Sequence, residues 1–138
     1  MNAAVLDASL ALSWLMPGEE AQLLPGDIFS EGDSVWAPSL WPLEVCNTLA
    51  MRSGKDATFL PAALLELQSW DVQIDPETAA RAPGDILSLA RQHRLTVYDA
   101  AYLELALRRG AALASLDADL RRAAKTLGVQ TLPAKLET

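Results

Sequence analysis

The sequence predicts an α/β protein, a three-layer α/β/α sandwich with a central, mostly parallel sheet. Two observations predict this class. Short apolar runs alternate along the chain with longer helical segments, a pattern typical of parallel sheets covered by helices. Pro-Gly, Asp-Pro and single Gly residues separate the segments. With 138 residues and a hydrophobic fraction of 51%, the chain fits one domain over residues 1–138 that buries its own core.

Five short apolar runs are the predicted strands, because they are too short for helices and turn signals or helical segments follow them. They cover residues 3–6, 34–37, 72–74, 111–115 and 129–132. Helices are predicted over residues 8–16, 40–53, 56–69, 98–109 and 118–127. A further helix follows Asp75-Pro76, is disturbed at Pro83-Gly84 and resumes to residue 93.

Capping signals set several helix boundaries. Ser39 is a candidate N-cap for the helix over 40–53, and Gly54 ends that helix. Gly110 ends the helix over 98–109, and Gly128 is the C′ residue of the next one. Pro-Gly pairs at 17–18 and 25–26 interrupt the helical pattern, so residues 19–31 receive no firm assignment.

The chain contains one cysteine, Cys46, and one histidine, His93. A single cysteine excludes an internal disulfide and a cysteine zinc cluster. His93 lies in the polar segment "RQHRL", which is typical of an exposed helix end, so a histidine-based triad is not expected. The chemistry must therefore depend on carboxylates, hydroxyls or amides.

Charge and hydropathy limit the surroundings of the protein. The net charge is −7, which alone counts against a nucleic-acid binder unless clustered acids are neutralised by divalent cations. No apolar run reaches the roughly 20 residues that a membrane-spanning helix requires. The opening "MNAAVLDAS" has no basic region, so it does not resemble a signal peptide. These observations favour a cytoplasmic protein with no membrane partner.

Two acids follow predicted strands. Asp7 comes directly after the first strand, and Asp117 comes just after the strand over 111–115. Because ligands of open α/β sheets bind beyond the carboxyl ends of the strands, both acids are expected at one edge of the sheet. The alternative is an ordinary N-cap or turn role for each residue.

Glu44 is the only acid in the helix over 40–53. Glu44, Asn47 and Thr48 are spaced i, i+3, i+4 and share one narrow face of a helix that otherwise looks mostly buried. A buried carboxylate is costly unless it is paired or bound to a metal. A salt bridge to a distant arginine is the alternative to a metal ligand.

Asp99 opens the helix over 98–109, which is apolar on two sides. It is either a helix-terminal acid or one of several acids that meet around a cation. Asp7, Glu44, Asp99 and Asp117 all lie at positions that can converge at one sheet edge, where four carboxylates would repel each other. Oxygen-only ligands select Mg²⁺ or Mn²⁺, and such an ion can activate water to hydrolyse a phosphodiester.

Four stretches in this order resemble a known family: "VLDAS" (5–9), "EVCN" (44–47), "LTVYDAAYLELAL" (95–107) and "LASLDADL" (113–120). They resemble the PIN domain and, within it, the VapC-like toxins of bacterial and archaeal toxin–antitoxin pairs. The resemblance covers nearly the whole chain. It implies a metal-dependent endoribonuclease with an α/β/α sandwich, in which Asp7, Glu44, Asp99 and Asp117 hold Mg²⁺ or Mn²⁺ and activate water to cut RNA.

The resemblance also suggests supporting residues. Ser9 lies beside the first acid, Asn47 lies near Glu44, and Ser115 matches a Ser/Thr that orients ligands two residues before the last acid. Each of these has a plain capping or turn role as its alternative. Asp119 is either an outer acid of the site or an N-terminal acid of the last helix. Candidate phosphate contacts, or simply solvated helix residues, are Arg52, Lys55, Arg91, Arg94, Arg121 and Arg122.

The resemblance implies two protein partners, a second copy of the chain and a separate antitoxin that blocks the acidic cleft. The four tryptophans are either anchors of such interfaces or core residues: Trp14, Trp36, Trp41 and Trp70. The chain departs from the family in its Pro-Gly interruptions, which shorten helices that are usually continuous.

Two other functions are compatible with clustered acids. A receiver-like phosphoacceptor domain needs adjacent acids after the first strand and a lysine after the last. Here Asp7 stands alone, and Lys135 lies in a tail after Pro133. A module that binds metal and a partner without cutting is the second alternative.

Overall fold

The computed structural model describes residues 2–18, 23–54 and 56–135. Its centre is a five-stranded sheet in the order β3-β2-β1-β4-β5, and every neighbouring pair of strands is parallel. The strands follow the predicted apolar runs: β1 (Ala3–Leu6), β2 (Ser34–Ala37), β3 (Val72–Ile74), β4 (Ala112–Ala114) and β5 (Thr131–Leu132). The described residues include no helix long and apolar enough to cross a membrane.

Eight α-helices lie within the described residues. They are α1 (Ala8–Leu15), α2 (Pro25–Ile28), α3 (Trp41–Arg52), α4 (Leu60–Ser69), α5 (Thr78–Arg81), α6 (Leu87–His93), α7 (Val97–Arg109) and α8 (Ala118–Thr126), with a π-helical turn (Ala82–Ile86) between α5 and α6. Helix α1 packs against α3 and α4, while α7 packs against β1, β4, α6 and α8. The helices flank the parallel sheet, which confirms the predicted three-layer α/β/α class.

The strand order places a topological switch point between β1 and β4. From β1 the chain proceeds to β2 and β3 on one side, and it then returns to form β4 and β5 on the other side. The connections after β1 and β4 therefore diverge from each other and leave a crevice at the carboxyl ends of these two strands. Open α/β sheets bind their ligands at such a crevice.

Helix α7 is the central helix of the fold. Seven consecutive residues, from Ala100 to Ala106, are buried, so the middle of this helix is enclosed on all sides. Thr96 caps its N-terminus by accepting a hydrogen bond from the backbone N–H of Asp99, and Gly110 ends it with a φ of 60°. The predicted end at Gly110 is confirmed.

The predicted N-cap Ser39 is wrong. Leu40 precedes α3 and its side chain makes no capping hydrogen bond. The backbone N–H of Ser39 instead donates to Thr78 Oγ1 at 2.9 Å, which ties this turn to the start of α5. Helix α4 starts at Leu60 rather than at residue 56, because Asp56 accepts hydrogen bonds from the N–H and hydroxyl of Thr58 in a preceding turn.

The Pro-Gly pairs act in three different ways. Met16 and Gly18 end α1 as predicted, whereas Pro25 begins the short helix α2. At Pro83-Gly84 a kink interrupts the helical path, because Gly84 has non-helical angles, with φ of −110° and ψ of −107°. The predicted disturbance at this position is confirmed.

Helix α3 is less buried than the sequence suggested. It buries a single stripe, Trp41, Val45 and Leu49, while Leu43 and Met51 are 75% and 74% exposed. Trp41 is therefore a core residue and not an interface anchor. The other tryptophans are half-buried: Trp14 meets Trp70 edge to face at 5.7 Å, and Trp36 lies 3.4 Å beneath the Arg109 guanidinium.

A buried ion network joins the end of β3 to α7. Asp75 is fully buried, and Arg108 donates to its two oxygens at 3.1 and 2.7 Å. Arg108 also donates to Glu104 Oε2 at 2.9 Å and to Glu77 Oε2 at 3.3 Å. The hydrogen bonds from Arg108 lower the pKa of Asp75, although burial opposes this shift. Arg109 adds a second cation 3.6 Å from Asp75, so two arginines of α7 compensate the charge of this buried acid.

We expect Arg108→Met to reduce the free energy of unfolding by about 3–5 kcal/mol, because the variant leaves Glu104 buried without its cation and Asp75 with only the longer contact to Arg109 at 3.6 Å. Urea unfolding followed by circular dichroism measures this loss. Arg122→Met is the matched control: its ion pair with Asp119 is exposed, so its loss is expected below about 1 kcal/mol. Similar losses in the two variants would contradict this interpretation of the network.

Candidate functional site

Asp7 and Asp117 lie on either side of the switch point. Asp7 directly follows β1, and its backbone N–H donates to the Ala114 carbonyl of β4 at 2.9 Å, which continues the pairing of the two strands. Asp117 follows β4 and precedes α8. The sequence predicted that these two acids meet at one edge of the sheet, and the fold brings them there.

An open cavity of about 270 Å³ occupies this edge. All four acids that the sequence singled out line it, together with two of the predicted supporting residues. The polar lining consists of Asp7, Ser9, Glu44, Asn47, Thr48, Asp99 and Asp117. Ser115 contacts the site through Asp7, whereas Asp119 lies outside the lining on the exposed first turn of α8, where it pairs with Arg122 at 2.6 Å.

Asp7 is the most enclosed of the four acids, with 6% of its surface exposed. Its Oδ2 accepts hydrogen bonds from the hydroxyls of Ser9 and Ser115, both at 2.7 Å. Asp7 has the backbone position of an N-cap for α1, but its side chain makes no capping bond. Burial raises the pKa of Asp7, the two serine hydrogen bonds oppose the shift, and the nearby Asp117 adds to it.

Ser115 connects two of the acids. Its hydroxyl donates to Asp7 and also accepts a hydrogen bond at 3.0 Å from the backbone N–H of Asp117. Asp117 Oδ1 in turn accepts from the Leu120 N–H at 2.8 Å and so caps α8. The N-cap interpretation of Asp117 is therefore correct, and the same side chain also lines the cavity.

Glu44 is oriented by a tyrosine that the sequence analysis did not include among the candidate site residues. The Tyr102 hydroxyl donates to Glu44 Oε1 at 2.6 Å from a fully buried position on α7. Burial raises the pKa of Glu44 and the charge of Asp7 adds to the shift, while the Tyr102 hydrogen bond lowers it. The spacing of Tyr102 three residues after Asp99 was the available signal, because i and i+3 share a helix face.

Asp99 is not the cap of its helix, since Thr96 fills that role. Burial first, and then the charges of Asp117, Asp7 and Glu44, raise the pKa of Asp99 to about 6. Each of the other three acids thus repels Asp99. This repulsion is the electrostatic signature of carboxylates gathered at one cavity.

The side chains at this cavity fit a hard divalent cation. All the polar groups of its lining are oxygen donors or amides, the set that Mg²⁺ and Mn²⁺ prefer, and none is a thiol or imidazole. Among the described residues no three acids form a ready-made metal cage. Mg²⁺ retains several water molecules and often binds through only one or two carboxylates, so an open arrangement suits it.

The candidate phosphate contacts have different surroundings. Arg121 is buried and donates to two main-chain carbonyls, so its assignment as a surface contact is wrong. Arg122 is paired with Asp119, and Lys55 lies outside the described residues. Arg94 caps α6 in a left-handed conformation with φ of 55°. None of the described candidates lines the acidic cavity.

Three solved structures share this fold. The chain is similar to PAE2754 from Pyrobaculum aerophilum, at 22% identity and a TM-score of 0.60 over 95% of this chain and 90% of that one. It is also similar to FitAcB from Neisseria gonorrhoeae, at 18% identity and a TM-score of 0.59 over 95% and 97% of the two chains. A structure of FitAB bound to an IR36 DNA fragment gives 20% identity and a TM-score of 0.60 over 98% of each chain.

No curated protein sequence matches this chain. The family model described as the PIN domain does match it, over residues 4–126. This range contains β1 apart from Ala3, the strands β2 to β4, the described helices up to α8 and the four acids of the cavity. The chain therefore belongs to the PIN domain family.

Proposed function

We propose that the protein is a Mg²⁺- or Mn²⁺-dependent endoribonuclease and that Asp7, Glu44, Asp99 and Asp117 form its active site. The observation that carries this proposal is the set of four carboxylates around one cavity, where three of them raise the pKa of the fourth. A divalent cation held by these carboxylates would relieve this repulsion. Membership of the PIN domain family and the motifs shared with VapC-like toxins support RNA as the substrate.

A bound divalent cation would polarise a phosphodiester and lower the pKa of a bound water. The chain supplies the positions of the ligands. Ser9 and Ser115 hold Oδ2 of Asp7, and Tyr102 holds Oε1 of Glu44, so neither side chain is free to rotate away. Asp117 is fixed by its own helix cap, and Asp99 is fixed at the first turn of the enclosed helix α7.

The alternative functions receive less support. A receiver-like phosphoacceptor requires a lysine near its acids, and Lys135 does not line the cavity. A module that binds metal without cutting requires the same carboxylates, so only an activity measurement separates it from a nuclease.

We extend the proposal to a single cytoplasmic domain over residues 1–138 that acts as the toxin of a toxin–antitoxin pair.

A second copy of the chain and an antitoxin are the proposed protein partners. The exposed apolar residues of α3 and α4 support such contacts, because Leu43, Met51 and Leu65 are each more than 70% exposed. We propose that the α3 surface around Leu43 and Met51 forms the contact between the two copies of the homodimer. The antitoxin is expected to cover the acidic cavity.

We expect Asp7→Asn and Asp99→Asn each to reduce metal-dependent cleavage of labelled RNA by at least about 100-fold, because each removes a charged ligand of the cation. Circular dichroism should show that both variants remain folded. Asp119→Asn is the matched control and should retain activity within about twofold, since this acid lies outside the cavity. Cleavage by the wild type that persists undiminished in EDTA would refute the proposed function.

We expect Asp99→Asn to stabilise the metal-free protein at pH 7.5 by about 1 kcal/mol, a value reduced for the partial exposure of the side chain. An acid whose pKa rises on folding to about 6 stabilises the fold at low pH, and this contribution is lost as the pH rises past 6. The variant should therefore differ less from the wild type at pH 5. Urea unfolding in EDTA at both pH values measures this, and an equal or reversed difference would contradict it.

We expect the purified chain to be a dimer and Leu43→Asp or Met51→Asp to shift it to a monomer, because each places a charge on the proposed apolar contact. Light scattering coupled to size exclusion gives the mass. Leu127→Asp, at an exposed position after α8, is the control and should leave the mass unchanged. A monomeric wild type would eliminate the dimer but leave the nuclease proposal intact.

A further inference from the structure

Arg121 is a buried cation whose hydrogen bonds to the described residues all go to main-chain carbonyls. It lies on α8 with 5% of its surface exposed, and Nη1 and Nη2 donate to the carbonyls of Ser115 and Pro133 at 2.9 and 2.7 Å. Among the ion pairs of the described residues, none involves Arg121. A buried guanidinium without a carboxylate is costly, and burial lowers the pKa of Arg121 accordingly. An apolar side chain would fill this space at less cost.

The first of these carbonyls belongs to the residue that connects Asp7 to Asp117. The Ser115 hydroxyl bonds to Asp7 Oδ2 and to the Asp117 N–H, as described above, and its own N–H donates to the Leu132 carbonyl at 3.1 Å. Arg121 donates a hydrogen bond to the carbonyl of Ser115, which is the last of its polar groups. Every polar group of Ser115 is thereby engaged, and its backbone conformation is fixed from both sides.

The second carbonyl lies on the neighbouring chain segment. Pro133 follows β5, which has only two residues and pairs with β4 at the edge of the sheet. So short a strand provides few ladder hydrogen bonds to hold the end of β4. Ser115 and Pro133 directly follow the last paired residues of β4 and β5. By donating to both carbonyls, Arg121 of α8 links the ends of the two strands.

We infer that Arg121 is a positioning residue of the metal site: its guanidinium fixes the Ser115 peptide, and Ser115 then holds Asp7 and Asp117 in the geometry that binds a divalent cation. This inference rests on the proposed function. It assigns to a residue outside the cavity a role in the affinity for metal. Residues that orient metal ligands in this way typically contribute 10- to 100-fold to metal affinity or activity.

Three variants test the inference. Arg121→Met retains most of the volume and removes both donors, while Arg121→Lys retains the charge but lacks the planar fork that reaches two carbonyls at once. Arg122→Met is the matched control, because the adjacent side chain is 59% exposed and pairs only with Asp119 among the described residues. Thermal melting and circular dichroism establish that each variant is folded at the temperature of measurement.

Mn²⁺ affinity, measured by titration calorimetry well below the melting temperature, should fall at least about tenfold in Arg121→Met and about fivefold in Arg121→Lys. It should stay within about twofold in Arg122→Met. In the metal-free protein, hydrogen exchange of the Asp117 amide should accelerate at least tenfold in Arg121→Met, while amides in the middle of α7 keep their protection. A residue that serves only overall stability would lower the melting temperature without these two local effects.

The outcomes separate this inference from the proposed function. A wild type that binds no Mn²⁺ overturns both. A wild type that binds Mn²⁺ and an Arg121→Met variant that binds it equally well overturn the role of Arg121 alone. If Arg121→Met fails to fold, Arg121→Lys decides: affinity equal to that of the wild type overturns the inference, and a fivefold loss supports it.

Discussion

The structure depends on keeping four carboxylates around one partly enclosed cavity in spite of their mutual repulsion. Burial and the charges of three neighbours raise the pKa of Asp99, and burial does the same for Asp7 and Glu44. Hydrogen bonds hold the carboxylates in place against this repulsion. Two serines hold Asp7, a tyrosine holds Glu44, and a helix cap holds Asp117. The acids are anchored by neutral donors, which leave their charge available to a cation.

A second cluster of acids shows the opposite arrangement. Asp75 and Glu104 are as deeply buried as Asp7, yet Arg108 pairs with both and Arg109 lies 3.6 Å from Asp75. Hydrogen bonds from Arg108 lower the pKa of Asp75, whereas burial raises the pKa of Asp7, of Glu44 and of Asp99. The comparison within one chain distinguishes acids that are paired with arginine from the acids that we propose as metal ligands.

Local patterns predicted most of the fold because strand length, Pro-Gly pairs and helix stops are properties of short segments. The five strands and the end of α7 followed from such patterns. The convergence of the acids was also predictable, since the carboxyl ends of parallel strands share an edge. Local sequence signals give the positions of the acids along the chain, and a general rule of α/β sheets gives their common edge. A single sequence was therefore sufficient to predict this part of the site.

The rest depended on contacts between distant segments. Ser39 looks like an N-cap, but its N–H is taken by Thr78, which lies 39 residues away. Tyr102 looks like a core residue, and only the three-dimensional structure reveals its hydrogen bond to Glu44, which lies 58 residues away on α3. Arg121 looks like an exposed helix residue, and only the position of the β5 end reveals its carbonyl partners. Neither periodicity nor composition encodes such pairings.

Helix α7 joins the two clusters of charge in a single rod of 13 residues, about 20 Å long. Asp99 lies in its first turn, Tyr102 reaches Glu44 from the next, and Glu104 and Arg108 belong to the ion network towards its other end. Because the middle of the rod is enclosed by apolar packing, its two ends cannot open independently at low cost. The ion network at one end of α7 therefore contributes to the rigidity of the cavity at the other end. We expect the two clusters to unfold as one cooperative unit.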